Sequence, residues 1–298
     1  MVVLLVAALA GMVFGAICNA AIPRLGPMAR SAPRLFRCPD CAGPLPWRVR
    51  VGLVAWLARR CSCPGCGSEI PSRRRALVEA FCALLAVSWS VLALGGFWPD
   101  AGLAGSWLLF AAAGIPLALV DWDTFEIPDG LVVVAGAGGG LLRCFLSPDP
   151  WNDCLPILRD GVLAAGFLYA LSFSSRVCLG WLGSCARAGL RCTRTWQGRR
   201  KARSALKLLL RWSRFDADVE ALGLGDVSLG LAAGAALGFQ PVLVGLPVAA
   251  LLGILGHLAV AGFEDRARDA GLDAQSIPFG PFLVGGFLVA ALALNSAR

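Results

Sequence analysis

Long apolar stretches divide this chain into segments of membrane-spanning length. Apolar runs begin near residues 2, 76, 103, 130, 161, 228, 242 and 280, and each is close to the roughly 17–25 residues that a helix needs to cross a bilayer. A short Gln240-Pro241 turn separates the sixth run from the seventh. The pattern predicts an all-α polytopic membrane protein with about eight transmembrane helices.

Composition agrees with a membrane location. Hydrophobic residues make up 57% of the 298 residues, and the mean hydropathy is +0.71, whereas soluble domains contain about 45–50% apolar residues. No basic residue precedes the first apolar run, although a secretory signal peptide should have one. We therefore interpret residues 1–22 as the first transmembrane helix.

The distribution of charge predicts the topology. Most of the 27 Lys and Arg residues fall in 23–75, 185–226 and 263–279, and basic residues concentrate on the cytoplasmic side of membrane proteins. We expect those segments and 121–129 to be cytoplasmic and the N-terminus to be periplasmic. The net charge of +8 then reflects topology, so we expect the lipid bilayer, and no nucleic acid, as a partner.

A basic stretch interrupts the predicted membrane domain at about 185–222. It contains the run Arg199–Arg203, followed by leucines and Trp212. Such a pattern is typical of an interfacial helix against anionic lipid, and equally of a solvated loop that fixes topology.

Five of the twelve cysteines lie between Cys38 and Cys66. Two Cys-Pro-x-Cys units, Cys38 with Cys41 and Cys63 with Cys66, are separated by 21 residues, a spacing suited to tetrahedral zinc. Cys61 offers an alternative ligand in the second unit. A cytoplasmic segment disfavours disulfides, and four thiolates leave no open coordination position, so we predict a structural zinc domain at 23–75, followed by a membrane domain at 76–298. The isolated cysteines, among them Cys18, Cys82 and Cys144, are interpreted as small apolar residues.

Two aspartates adjoin apolar runs. Asp121 lies at the predicted cytoplasmic end of the third span and Asp226 at the cytoplasmic start of the sixth, although a charge in a spanning helix is costly. Two carboxyls that share a site do not both ionise easily, so one can act as base toward a water while the other donates to the developing oxyanion. The topology therefore predicts an aspartic protease pair.

Several neighbouring residues have competing interpretations. Gly223 and Gly225 would let a substrate backbone approach Asp226, or they serve a helix turn or close packing. Asp123 competes with Asp121 for the catalytic role, and we expect Asp129 to cap the fourth span. His257, the only histidine, is interpreted as a core residue.

Taken in order, these features resemble the type IV prepilin peptidases, a family of polytopic aspartic proteases. The resemblance includes residues 18–25, both Cys-Pro-x-Cys pairs, residues 72–79, a D-x5-[IL]-P-D motif at 121–129, a G-x-G-D motif at 223–226 and an I-P-F-G-P motif at 277–281.

The resemblance implies an enzyme of the bacterial inner membrane that removes the short basic leader of type IV prepilins or type II secretion pseudopilins at the cytoplasmic face. It implies Asp121 and Asp226 as the catalytic pair and Cys38, Cys41, Cys63 and Cys66 as zinc ligands. It also implies N-methylation of the new N-terminus with S-adenosylmethionine.

Two departures from the family pattern leave other functions open. Ser228 stands where the family usually has a lysine two residues after Asp226, and the basic insertion is longer than expected. Both features are compatible with a noncatalytic pilus-assembly scaffold. A transporter whose intramembrane carboxylates bind ions is the other alternative.

Overall fold

The computed structural model describes residues 1–25, 37–38, 40–46, 49, 51–58, 62–69, 72–98, 100–147, 149–193, 223–259 and 278–296. These residues are mostly helical. The helices are α1 (Val2–Leu25), α2 (Gly52–Leu57), α3 (Ser72–Leu94), α4 (Ala101–Thr124), α5 (Asp129–Val133), α6 (Gly139–Phe145), α7 (Pro150–Thr193), α8 (Leu224–Leu237), α9 (Phe239–Ala259) and α10 (Gly280–Ser296). One π-helical turn, Val134–Gly138, joins α5 to α6.

Five helical segments are long and apolar enough to cross a bilayer: Val2–Ala20, Arg73–Leu94, Ala101–Thr124, Asn152–Ser175 and Phe239–Gly256. The helices α8 and α10 are apolar but shorter. Within the described ranges there is no extended strand, only two isolated bridges near the cysteines. The helical membrane architecture predicted from the apolar runs is therefore confirmed, whereas the number of eight spans stays a prediction.

The helix α7 is longer than the predicted fifth span. Its 44 residues extend about 66 Å at 1.5 Å per residue, roughly twice the thickness of a bilayer core. It begins at Pro150, before the predicted start near 161, and continues past the predicted boundary at 185 to Thr193. The rest of the basic insertion, 194–222, lies outside the described residues.

The turn between the sixth and seventh apolar runs lies at Gly238, so the prediction of a Gln240-Pro241 turn is wrong. Gly238 has φ 99° and ψ 164°, a conformation that is essentially restricted to glycine. Gln240 and Pro241 instead lie in the first turn of α9, where proline is tolerated because its nitrogen needs no hydrogen bond there.

One cysteine pair also differs from expectation. Cys144, near the end of α6, is bonded to Cys154 in the first turns of α7, although its isolated position had suggested a small apolar residue. The two Cα atoms are 5.6 Å apart because the two helices are joined by a short turn. Cys18 and Cys82 are free and buried, in agreement with the prediction for them.

Small residues allow the helices to approach closely. A Cβ at Gly15 of α1 would lie 2.7 Å from the Cα of Glu79 in α3, and a Cβ at Gly245 of α9 would lie 2.8 Å from the carbonyl oxygen of Gly286 in α10. Such contacts are typical of helix pairs in membranes. The core between α4, α8 and α10 is filled by Phe110, Leu117, Leu229, Leu283 and Phe287. This packing brings the end of α4 and the start of α8 to the same end of the bundle.

Candidate active site

Asp121 lies in the last turn of α4 and is only 4% exposed. Its Oδ2 accepts a hydrogen bond of 2.9 Å from the backbone N–H of Gly280, at the start of α10. A Cβ at Gly280 would lie 2.9 Å from the same oxygen. The missing side chain at Gly280 therefore lets the backbone of α10 reach the carboxylate.

Asp226 lies in the first turn of α8 and is 9% exposed. Its Oδ2 accepts a hydrogen bond of 3.0 Å from the N–H of Gly223, the residue that precedes the helix. This is the side-chain half of a capping box, which occupies an amide that the helix leaves unpaired. The helix start thus fixes the orientation of the Asp226 carboxylate.

The two carboxylates are neighbours. Asp121 lies within electrostatic reach of Asp226, and both are enclosed by the packing of α4, α8 and α10. A carboxylate has about four acceptor positions, and among the described residues each aspartate receives one hydrogen bond. The remaining positions are suited to holding a water molecule and a substrate carbonyl between the two groups.

Asp123, the competitor of Asp121, faces another part of the molecule. Its Oδ2 lies 2.7 Å from the Nη2 of Arg74 on α3, and its side chain is 32% exposed. Successive positions on a helix point to different faces, so a shift of two residues separates an exposed ion pair from a buried carboxylate.

Asp129 does not cap the following helix as predicted. The residue at the N-cap position is Pro128, and Asp129 is the first residue of α5, without a side-chain cap. Pro128 has an extended backbone conformation (ψ 115°) and its carbonyl oxygen accepts from the N–H groups of Leu131 and Val132, so the helix starts one residue earlier than predicted. The carboxylate at Asp129 still lies where the helix dipole favours negative charge.

The glycines of the G-x-G-D motif have contacts within the protein. Gly223 supplies the amide that binds Asp226, and a Cβ at Gly225 would lie 3.1 Å from the Cβ of Ile127. Ser228 donates to the backbone oxygen of Gly225 at 2.8 Å. These contacts support the turn-and-packing interpretation of the glycines, and their contact with substrate stays a prediction.

Sequence reasoning did not identify Gly280 as a site residue. The signal in the sequence is the I-P-F-G-P motif at 277–281, which marks the start of the last span but does not by itself indicate a contact with Asp121. The prediction that His257 is a core residue is not tested: the residue lies in α9, but its side chain is outside the described part of the structure.

The four predicted zinc ligands converge. The sulfur atoms of Cys38, Cys41, Cys63 and Cys66 all lie within 4.8 Å of one another, with 3.7 Å between Cys38 and Cys66 and 3.8 Å between Cys41 and Cys63. Tetrahedral zinc with Zn–S bonds of about 2.3 Å requires sulfur separations of about 3.8 Å. The cluster therefore has the dimensions of a zinc site with four cysteine ligands, whereas Cys61 lies outside the described residues.

Two similar turns present the sulfurs. In the first, the N–H of Cys38 donates to Gly43; in the second, the N–H of Cys63 donates to Ser68. Backbone donation from Cys41, with help from the Ser68 hydroxyl, lowers the pKa of the Cys38 thiol to about 6. A thiolate is the form that binds metal, so the turn favours the ligating state.

A third buried carboxylate, Glu79, joins this cysteine region to the membrane bundle. Its Oε1 accepts from the N–H of Gly52 at 2.7 Å and its Oε2 from the N–H of Leu53 at 2.8 Å. Glu79 on α3 thereby holds the N-terminus of α2. Because Arg74, also on α3, pairs with Asp123, the α2 region and the aspartate pair lie at the same end of the bundle.

Comparison with known families gives two matches. Residues 9–92 match the model of the bacterial peptidase A24 N-terminal domain. Residues 107–258, about half of the chain, match the model of the type IV leader peptidase family. The two matches together include Glu79, Asp121 and Asp226.

Individual proteins with the same type of name are similar over long stretches. A prepilin leader peptidase/N-methyltransferase from Aeromonas hydrophila is 28% identical over 249 residues, which cover 83% of this chain and 67% of that protein. One from Myxococcus xanthus is 33% identical over 172 residues, covering 57% of this chain and 47% of that protein. No solved structure matches significantly.

Proposed function

The chain belongs to the type IV leader peptidase family, and from this membership we propose that it is an intramembrane aspartic endopeptidase that removes the leader of type IV prepilins or type II secretion pseudopilins. The observation that carries the proposal is the pair of buried carboxylates, Asp121 and Asp226, at one end of the helix bundle. The relatives bear the name prepilin leader peptidase, which supports prepilins as the substrate class.

In the proposed reaction, one carboxylate of the pair is ionised and takes a proton from a water molecule. The other is protonated and donates a hydrogen bond to the carbonyl oxygen of the scissile peptide, which becomes an oxyanion as the water adds. The C–N bond of this adduct then breaks as the carbonyl re-forms, and the leaving amine takes the proton that the first carboxylate removed from the water. The hydrogen bonds from Gly280 and Gly223 orient the two carboxylates, so that little reorganisation is needed during the reaction.

We further propose that this end of the bundle faces the cytoplasm of a bacterium and that the N-terminus is periplasmic. The α2 region, the Asp123–Arg74 pair and the aspartates lie at one end, and the sequence segment 23–75, which includes α2 and Arg74, is rich in arginine. Positive charge is retained on the cytoplasmic side. A prepilin inserted in the inner membrane would then present its basic leader beside the aspartates.

Replacement of each aspartate tests the proposal. Asp121→Asn and Asp226→Asn preserve the size of the side chain and the hydrogen-bond acceptor, but remove the ionisable group. Each variant should abolish leader removal from a co-expressed prepilin, measured as the mass of the pilin.

Asp123→Asn is the matched control, because it makes the same change two residues away on an exposed side chain and should leave cleavage intact. Full processing by either dyad variant would contradict the catalytic assignment. Normal pilus assembly by the double Asn variant would favour a noncatalytic scaffold, and ion flux in proteoliposomes without cleavage would favour a transporter.

We propose zinc as a structural metal at the four cysteines, since the sulfur separations fit it. When bound, zinc would hold the two cysteine turns together; with four thiolate ligands it would have no position for a substrate. The purified protein should contain one equivalent of zinc by elemental analysis, and Cys38→Ser should lose it. A wild-type protein free of zinc would overturn this assignment.

We also propose that the enzyme methylates the new N-terminus with S-adenosylmethionine, as the N-methyltransferase part of the relatives' names suggests. Mass spectrometry of the mature pilin should show one added methyl group. An unmodified amine on fully cleaved pilin would exclude methylation without affecting the peptidase proposal.

A further inference from the structure

A polar cavity lies at the end of the bundle opposite the aspartates. It has a volume of about 340 Å³ and is enclosed by the start of α4, the end of α6, the start of α7, the junction of α8 with α9 and the end of α10. Its lining includes Trp107, which precedes Asp121 by fourteen residues on α4, or about 21 Å. The cavity is therefore separate from the proposed active site.

The cavity is lined by several hydrogen-bond donors that have no acceptor within the described ranges. The buried nitrogen atoms without a partner in the described part of the chain are Nε1 of Trp98, Nε1 of Trp107, Nη1 of Arg143 and Nδ2 of Asn295, and all four residues line this cavity. Trp107 is only 3% exposed. Buried polar groups are normally paired, and leaving one unpaired costs about 1–3 kcal/mol.

In the described part of the chain, the buried donors without an acceptor all lie at this cavity. Trp89, which also packs against the core, donates its indole N–H to the carbonyl oxygen of Ala104 at 3.2 Å. The indoles of Trp98 and Trp107 are neighbours, with ring centroids 5.7 Å apart, yet neither N–H has such a partner among the described residues. A molecule inside the cavity could supply the acceptors that the described residues do not.

The charges around the cavity indicate the charge of that molecule. Arg143, Arg159 and Asp160 are the charged residues in the described lining. Arg159 is paired with Asp160 at 2.9 Å, which leaves the Arg143 cation without a counterion in that set. A ligand with one negative charge would neutralise the cavity, and guanidinium binds oxyanions well.

The backbone conformation of Gly238, which lines the cavity, also requires glycine. Gly238 takes the glycine-only conformation described above, and a Cβ there would lie 3.7 Å from Arg143 Nη1 and 3.7 Å from Asp160 Oδ2. Such conformations cluster at ligand sites. Any other residue at 238 would strain this turn and reduce the space next to the Arg143 cation.

We propose that this cavity binds the phosphodiester of a membrane phospholipid. A phosphodiester carries one negative charge and only acceptor oxygens, matching the single excess cation of the described lining and the four donors that lack a partner there. The cavity lies at the ends of apolar helices, at the level where headgroups are found in a bilayer, and indole groups favour that level. An aqueous oxyanion shares this chemistry but lacks the acyl chains.

The test uses the full-length protein in detergent after removal of lipid. Dioleoylphosphatidylglycerol is titrated and the bound lipid is counted by native mass spectrometry. We expect one tightly bound lipid in the wild type and binding at least about tenfold weaker in Arg143→Gln, because a hydrogen bond to a charged group is lost. Trp107→Phe keeps an aromatic side chain, although a smaller one, and removes one donor, and it should weaken binding several-fold.

Matched control variants test whether a loss of lipid binding is specific to the cavity residues. Arg74→Gln removes one cation at the opposite end, and Trp89→Phe removes an indole N–H that already has a partner; both should bind the lipid as the wild type does. Dioleoylglycerol, which has the same acyl chains without the phosphodiester, should not compete.

Three outcomes would overturn the proposal. The first is equal lipid binding by wild type and both cavity variants, each shown to be folded by size-exclusion chromatography. The second is displacement of the bound phosphatidylglycerol by dioleoylglycerol. The third is stoichiometric binding of inorganic phosphate without lipid binding, which would identify a soluble oxyanion as the occupant.

Discussion

Glu79 and the pair of Asp121 with Asp226 are buried carboxyl groups at the same end of the bundle, but their surroundings differ. Glu79 is fully buried and receives two backbone N–H groups, with Arg75 within electrostatic reach. Each aspartate receives one N–H in the described region, and its other neighbour is a second carboxylate.

The difference separates a structural carboxylate from the pair that we propose to be catalytic. The partners of Glu79 match its charge and occupy both oxygens, so that breaking them would cost stability. The hydrogen bonds to the aspartates orient the two carboxylates but leave some of their acceptor positions open. Repulsion between the two carboxylates also opposes the ionisation of both. Active sites commonly hold such unfavourable arrangements at the expense of stability.

The largest expected effect is on leader cleavage, when either aspartate of the proposed catalytic pair is replaced. Asp121→Asn or Asp226→Asn should abolish detectable leader cleavage, since the loss of a general acid or base lowers a rate by about 10²–10⁴-fold. The temperature of unfolding should stay constant or rise, because asparagine keeps one acceptor and removes a repelling charge. Cleavage assays and thermal unfolding in detergent measure the two quantities on the same preparation.

A fall in the unfolding temperature of both Asn variants would mean that the aspartates are stabilised as Glu79 is. The contrast between the two regions would then be lost, even if cleavage also failed.

The second prediction concerns Glu79. Glu79→Gln replaces one carboxylate oxygen by an NH₂ group, which faces the N–H of Gly52 or Leu53 as a second donor. We expect a loss of about 1–3 kcal/mol in the free energy of unfolding, the cost of one unsatisfied buried group. Urea titration of the folded protein measures it.

Glu69→Gln is the control for this change, since Glu69 is exposed and its substitution should alter stability by less than about 0.5 kcal/mol. Equal stability of the two variants would show that the hydrogen bonds of Glu79 contribute little.

The third prediction concerns Gly280, whose backbone N–H donates to the Asp121 carboxylate. Gly280→Ala places a methyl group 2.9 Å from Asp121 Oδ2, so the carboxylate or α10 must move. We expect a stability loss of about 1–2 kcal/mol, in the lower part of the range for overpacking, together with slower cleavage at unchanged zinc content.

The comparison variant is Gly166→Ala in α7, where an added Cβ meets nothing within 4 Å and should stabilise the helix slightly. Wild-type cleavage by Gly280→Ala would show that the close approach of α10 is not needed for the orientation of Asp121.

The predictable parts of this protein are those set by local sequence. The apolar runs predicted a helical membrane protein because bilayer thickness imposes a minimum span on any sequence. The Cys-Pro-x-Cys spacing predicted the convergence of Cys38, Cys41, Cys63 and Cys66, since a single tight turn presents each pair of sulfurs.

The missed features depend on distant or precise packing. Gly280 is 159 residues from Asp121, and Glu79 is 27 residues from Gly52; no local pattern connects them. The turn at Gly238 was placed two residues too late because proline is common both in turns and in the first turn of a helix. Cys144 was misjudged because its partner, Cys154, lies on the next helix.

The smallest expected effect is at Asp123, which has a carboxylate on the same helix as Asp121 but outside the buried pair. Its ion pair with Arg74 has side chains that are 32% and 50% exposed, and exposed pairs contribute about 0–1 kcal/mol. Asp123→Asn should therefore lower the free energy of unfolding by less than about 1 kcal/mol, with the difference decreasing as salt is added. A double-mutant cycle with Arg74→Gln measures the coupling. A coupling of several kcal/mol would place Asp123 with Glu79 among the structural carboxylates, because such a value requires a pair shielded from water.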